Sequence, residues 1–476
     1  MFKQKLKNIS LFTKLWLLAP IAIWFSYHPT IRLAEDSTAY YELSLTVIFL
    51  VVHALAGLPI VWKEKAGLLK RNSVRLVLLF FFISLLSLLW TANATRGFLT
   101  VGLLGVIGVI FLASLAKAEE LRQSKKDTLR ILIASSMVMS ILAIVQMIAA
   151  AWFSSDVTLL CRGCVAEQFG FARPNVFSIE PQFFGNMLLA PCLILFHLLV
   201  KSQFSRLVAA CFAITTLGLF LTMSRGAISS YGIGIIVLTA LYHADKIALV
   251  KVYALLAFSF TLCLLVQGSV AAANPNLNTT FNGAISTSIN QLTLGVVDIS
   301  TDKGQSRISP VQSDRPGESR EPNVVEAPLD NSGQPLFDGY VEESTNVRLT
   351  LTQLSLEAWA KNLGRLMFGV GTGGAGVVLL EEFPTRVNPR EIVQNQYAEV
   401  LLENGLIGFT IFISIIVSLF YSLRQHEWSW AVLTAFLVQW NFFSGYPNAL
   451  HIYLVCIYLF VAFGFTRDKG REKPTS

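Results

Sequence analysis

The chain has 476 residues, 54% of them hydrophobic and only 14% charged, with a formal net charge of +7. Nearly uncharged apolar runs of roughly 18 residues recur along it, which excludes a string of soluble domains and argues an all-α polytopic membrane protein. The positive charge is no argument for nucleic acid, because most Lys and Arg sit in short segments between apolar runs, where they record topology.

Taken in order, Met1–Lys14 is basic and Leu15–Phe25 apolar, and no small-x-small cleavage site follows, so this run is expected to stay as the first span. About twelve spans are predicted, near 14–28, 41–62, 76–90, 98–116, 131–152, 182–200, 207–221, 227–242, 252–269, 404–422, 429–446 and 452–466. Basic residues fill alternate short loops: Lys63, Lys65, Lys70, Arg71 and Arg75 in one, Lys117, Arg122, Lys125, Lys126 and Arg130 in another, with Lys201, Arg206, Lys246, Lys251 and Arg424 beyond. By the positive-inside bias these loops and both termini are expected on the cytoplasmic side of the membrane. The resulting division is helices over 1–269, a large periplasmic loop over 270–403, three helices over 404–466, and a cytoplasmic tail from 467.

That loop is far longer than an ordinary connection. It carries Asp314-Arg315-Pro316-Gly317, and its middle, near 298–338, has the composition of a disordered segment. Further on, Val347, Leu351, Leu354 and Ala358 recur at helical spacing, which predicts an amphipathic helix from about Asn346 to Asn362 at the outer interface. The glycines at 369–376 lack the Lys-Ser or Lys-Thr of a phosphate loop, so they are read as a turn near the membrane surface.

Against this topology, Arg96, Arg173 and Arg225 stand in short outer loops, where arginine is disfavoured unless it meets something negative. Taken singly, each reads first as an interfacial anchor for lipid headgroups. Arg225 is the sharpest case, because Thr222-Met223-Ser224-Arg225-Gly226-Ala227 joins two spans with almost no loop. Gly226 lets backbone or ligand approach. A permanently charged planar fork suits a phosphate or diphosphate, and Arg348 lies at the same face. Among carboxylates, Glu180 is the candidate for substrate contact, with Glu391, Glu399 and Glu403 as others. His451 is read as an interfacial histidine. Cys161-Arg162-Gly163-Cys164 fits a local disulfide, and no second ligand pair for a metal accompanies it.

The Ser-Arg-Gly-Ala turn, the Arg348 helix, Phe368-Gly369-Val370-Gly371-Thr372-Gly373, Asn395-Gln396-Tyr397 and Leu401-Leu402-Glu403-Asn404-Gly405-Leu406-Ile407-Gly408 follow in that order. In order and placement this resembles the O-antigen ligase and O-antigen polymerase family, and Arg173 with Phe177-Ser178-Ile179-Glu180-Pro181-Gln182 resembles an upstream segment of it. The resemblance implies glycosyl transfer without metal or other cofactor at the periplasmic face. Its donor is a glycan on undecaprenyl diphosphate, and its acceptor is another lipid-linked glycan (polymerase) or lipid A–core (ligase). Membrane lipid and a chain-length regulator are the other partners it implies. Arg225, Arg348 and Glu180 would be catalytic, with Arg173, Ser224, Gln394, Asn395 and Tyr397 binding substrate.

One departure matters. The ligases resembled here place a His, thought to take the acceptor's proton, where this chain has Gln394, and a carboxamide accepts no proton at neutral pH. The substitution favours polymerase over ligase. A secondary transporter or lipid flippase is the reading from another class, but it calls for ionisable groups within the spans and related halves.

Overall fold

A computed structural model describes residues 9–35, 40–153, 165–168, 171–201, 205–273, 280–293, 296–297, 340–384, 393–426, 428–445 and 449–464. The protein is an all-α polytopic membrane protein. Among the described residues seven helices are long and apolar enough to cross a membrane: α2 (Leu45–Leu68), α3 (Asn72–Leu86, continued by a short turn to Leu89), α4 (Ala94–Ala116), α6 (Lys125–Phe153), α7 (Pro181–Lys201), α10 (Lys246–Ala273) and α15 (Gln396–Ser422). Five shorter apolar helices join them: α1 (Leu11–Ala22, continued to Phe25), α8 (Arg206–Leu221), α9 (Arg225–Leu241), α16 (Trp428–Gln439) and α17 (Leu450–Phe463). Each of the twelve expected spans has its helix. The connector α5 (Ala118–Gln123) lies between α4 and α6.

The helices are apolar on all sides rather than along one stripe, as fits segments meeting lipid on one face and protein on the other. Side chains such as Trp62, Ile247, Val250 and Val417 point outward, while Phe184, Phe196, Phe212, Tyr231 and Phe436 fill the interior. Small polar residues set the starts of several helices. Ser44, Asn93, Ser224 and Asn395 accept backbone N–H groups of the first turns of α2, α4, α9 and α15, satisfying donors left over at a helix start. Two antiparallel hairpins sit at the same end of the bundle: β1 (Thr30–Glu35) with β2 (Tyr40–Ser44), and β3 (Val165–Gln168) with β4 (Phe171–Pro174).

Between α10 and α15 the described parts of the insert are helical: α11 (Phe281–Leu292), α12 (Tyr340–Ala360), α13 (Leu363–Phe368) and α14 (Ala375–Glu382). The helix expected to begin near Asn346 starts at Tyr340, so Arg348 lies inside it rather than at its opening. Its apolar stripe faces protein. Leu351, Leu354 and Ala358 form a second small core with Val378 and Leu379 of α14 and with Ala398 and Leu402 of α15. The middle of the insert and the Cys161–Cys164 pair lie outside the described residues.

The tenth span begins eight residues earlier than expected because α15 is bent. Gly405 has φ 63° and ψ −170°, a conformation open essentially to glycine alone. The bend leaves the carbonyls of Leu402 and Glu403 without partners one turn on, and Val370 N–H (2.8 Å) and Gly371 N–H (3.0 Å) donate to them instead. The glycine cluster is therefore a backbone clasp on a broken span.

Candidate active site

The site is built at the end of the bundle that carries the insert. The turn from α8 to α9 is its first piece. Arg173, at the end of β4 and only 9% exposed, donates from Nε to the Thr222 carbonyl at 2.8 Å and from Nη2 to the Met223 carbonyl at 3.5 Å. A cation at the C-terminus of α8 is favourably placed, and these bonds fix the turn from which Arg225 projects. The structure thus places Arg173 as a brace for the turn. Ser224 is the N-cap of α9, its hydroxyl accepting from Ala227 N–H. Gly226 does allow a close approach, of the Phe442 side chain, whose Cβ a methyl group at 226 would meet at 3.0 Å.

Two guanidinium groups face the same region, and each is oriented by carboxamides. Arg225 donates to Gln291 Oε1 (3.0 Å) and Asn290 Oδ1 (3.4 Å) on α11. Arg348 donates to Gln394 Oε1 (3.1 Å) and Gln182 Oε1 (2.6 Å). Gln182 in turn donates to the Phe442 carbonyl at 3.0 Å, so one residue, Phe442, touches both the Arg225 turn and the Arg348 network. An arriving anion exchanges neutral acceptors for charged ones while using the same donors, which is a favourable substitution.

Backbone geometry marks the same places. The non-glycine residues with left-handed φ among the described ones are Val176 (51°), Met223 (49°) and Gln394 (55°). One follows Arg173, one precedes Ser224-Arg225, and one accepts from Arg348. Such conformations cost about 1–3 kcal/mol and persist where surrounding structure imposes them, commonly at functional sites.

The remaining expected residues fall into supporting positions. Asn395 caps α15 by accepting from Tyr397 N–H (3.0 Å) and Ala398 N–H (3.2 Å). Tyr397 donates its hydroxyl to the Leu437 carbonyl at 2.8 Å and packs edge-on to Trp440. Glu180 is exposed, ahead of α7, and its carbonyl accepts from Phe183 N–H. His451 is buried between Phe436 and Phe443 rather than standing at an interface. Glu391 lies outside the described residues.

Beside this network opens a cavity of about 1380 Å³, walled by apolar side chains of α2, α3, α4, α15 and α17 and polar at its head. Asn175, Ile179 and Gln396 line the head, next to the segments that hold Arg173, Gln182 and Gln394. So do Arg96, Glu399 and Glu403. Arg96 Nη2 lies 3.7 Å from Glu399 Oε1. The clasp holds this head in shape: Thr372 bonds Ser87 Oγ through its N–H (3.0 Å) and Asn404 Oδ1 through its hydroxyl (3.2 Å). Among the described residues no His, Cys, Asp and Glu cluster has the makings of a metal site.

Residues 210–413, which span the Arg225 turn, the insert with Arg348 and the outer half of α15, match the family model described as O-antigen ligase. Over that segment the chain is similar to the O-antigen ligase family. No curated protein matches the chain. Within the O-antigen ligase segment, sequence reasoning singled out both guanidinium groups. It passed over Asn290 and Gln291, which sit in a polar stretch with no distinguishing pattern. Gln182 was legible only as part of a longer motif, and Arg96 only as one outer arginine among several.

Proposed function

We propose that the protein polymerises lipid-linked oligosaccharide repeat units of a surface polysaccharide or O-antigen, transferring a glycan from undecaprenyl diphosphate at the periplasmic face of the inner membrane. The observation that carries this reading is the joining of Arg225 and Arg348 through Phe442 and Gln182, beside the head of an apolar cavity. The acceptor's sugar hydroxyl oxygen attacks the donor's anomeric carbon. The bond from that carbon to the phosphate oxygen breaks, and the lipid diphosphate leaves with the electron pair. Arg225 and Arg348 hold the diphosphate and stabilise its growing charge, each worth on the order of 10²–10³ in rate if it acts as a preorganised donor. The start of α9 adds the positive end of its helix dipole. Arg173 keeps the turn in register. The apolar cavity is suited to the prenyl chain. The insert end is assigned to the periplasm and both termini to the cytoplasm, because the basic short loops gather at the opposite end. This assignment keeps the division into 1–269, 270–403, 404–466 and a cytoplasmic tail from 467.

Ligation to lipid A–core is the second reading, favoured by the similarity of residues 210–413 to the O-antigen ligase family. Gln394 in place of the ligases' His supports polymerisation instead. In cells lacking the protein, a polymerase leaves single repeat units on the final acceptor. A ligase leaves that acceptor bare and the long glycan on its lipid carrier. For either reading, Arg225→Ala and Arg348→Ala should abolish long glycans at unchanged protein level. Unaltered ladders on a gel would remove both residues from the chemistry. Arg348→Lys is expected to fail as well, since a point charge does not reproduce the fork held by Gln182 and Gln394.

A further inference from the structure

Gln394 itself accepts no proton at neutral pH, and its Oε1 is already engaged by Arg348. A carboxylate stands a little over one helical turn further on. Glu399 is 5% exposed and lines the head of the cavity. Its Oε1 faces Arg96 Nη2, and its Oε2 has no hydrogen-bond partner within geometric limits, although Ser444 and Gly445 lie against the carboxylate. Glu403 follows at i+4 on the same face, one turn deeper, beside the backbone of Gly373 and Ala375. Two buried carboxylates share one arginine here, and no other residue of the helix is ionisable at neutral pH. An acceptor oxygen left unsatisfied in such a place costs free energy, and intramembrane acids are retained where something meets them. Of the two, Glu399 is closer along the chain to the Gln394 and Gln396 backbone. It also lies against Gly445, whose N–H donates to Gln396 Oε1 at 3.1 Å.

We propose that Glu399 is the group that accepts the proton of the incoming sugar hydroxyl, with Arg96 orienting its carboxylate from the other side. The inference rests on the glycosyl-transfer reading above. As the acceptor oxygen bonds to the anomeric carbon and the lipid diphosphate departs, the hydroxyl proton passes to Glu399 Oε2, and no oxidant or reductant takes part. Glu403 and its contacts with the clasp keep the outer half of α15 in place, so Glu403 is a positioning residue in this scheme.

The test uses the full-length protein in lipid nanodiscs with a polyprenyl-diphosphate-linked repeat unit, and polyprenyl diphosphate alone as the binding probe. Glu399→Gln should lower kcat by roughly 10²–10⁴-fold, while donor KM and polyprenyl diphosphate binding change by less than about threefold. In Glu399→Ala, added formate should restore part of the lost rate, which a purely structural carboxylate would not allow. Transfer by Glu399→Gln within about threefold of the parent overturns the assignment, as does loss of probe binding together with transfer in a variant of normal melting temperature. If Glu399→Gln lowers the melting temperature, the formate measurement decides: rescue supports the role and its absence overturns it. The donor reading fails separately, if Arg225→Ala and Arg348→Ala both keep full probe binding.

Discussion

The outer half of α15, residues 396–404, and its inner half, residues 406–422, are continuous in sequence and unlike in surroundings. Gln396, Glu399, Glu403 and Asn404 on the outer half are all buried, pressed between the insert and the cavity. On the inner half Val417 is 61% and Tyr421 67% exposed, with apolar faces turned outward. Hydrocarbon tolerates the inner half because all its backbone bonds are internal and its side chains are apolar. The outer half carries two carboxylates and two carboxamides, which only a protein jacket makes bearable. The small core of α12 and α14 is that jacket. The difference between the halves shows what the insert is for physically: it encloses polar chemistry in a segment that would otherwise face lipid.

The boundary between the halves is the most sensitive point. A methyl group at Gly405 would fall on the Met367 carbonyl, and one at Gly369 on the Glu403 carbonyl, and both glycines have positive φ. Gly405→Ala is therefore expected to cost on the order of 3 kcal/mol or more, from backbone strain and overpacking together. Most of the protein should be lost from the folded peak in detergent. A variant melting within a few degrees of the parent would mean that the two halves do not need this bend.

Next in size is the jacket itself. Leu354 is 2% exposed and sits in the small core rather than in the bundle. Leu354→Ala should cost about 2–5 kcal/mol. The loss should appear as faster amide exchange in residues 347–384 and in the outer half of α15, with the inner half unchanged. Equal acceleration in both halves would show that jacket and bundle unfold as one unit.

How far these features were readable from the chain follows from the same physics. The spans were legible because a run of apolar residues has few uses outside a membrane. Arg225 was legible because a guanidinium in a short outer loop is costly without a purpose, and Arg348 because it lies at the same face and falls in the order of the family's segments. The bend at Gly405 was not, since its glycine reads like others within spans, and its cause is the distant backbone of Met367 and Phe368. Glu399 and Glu403 appeared as acids at the mouth of a span. That they lie buried at the head of a cavity facing Arg96 depends on α4 meeting α15, a contact between residues some three hundred positions apart. Ser224 and Asn395 matched a motif expected to bind substrate, yet each spends its side chain capping a helix. A motif of this kind records the local fold as much as the chemistry.

The smallest effect separates the jacket from the acids it encloses. Glu382, on α14, receives Arg365 Nη1 and lies 2.9 Å from Lys361 Nζ. Partial burial pushes its carboxyl up, but hydrogen bonds and charge from Arg365 and Lys361 together outweigh this and hold it below its ordinary 4.5. The unfolded jacket then binds the proton more readily than the folded one, so this group stabilises at neutral pH. Its contribution is complete above about pH 4.5 and is lost as pH falls through the lower folded value. Lys361 is 58% exposed, so solvent and salt screen the pair, and Glu382→Gln should cost no more than about 1 kcal/mol. Amide protection in α14, relative to the intrinsic exchange rate at each pH, should fall below pH 4.5 in the parent and vary less with pH in Glu382→Gln. An unchanged acid response in the variant would move the jacket's pH sensitivity to another carboxylate. A loss much above 1 kcal/mol would mean that the jacket is held by charge rather than by the core around Leu354.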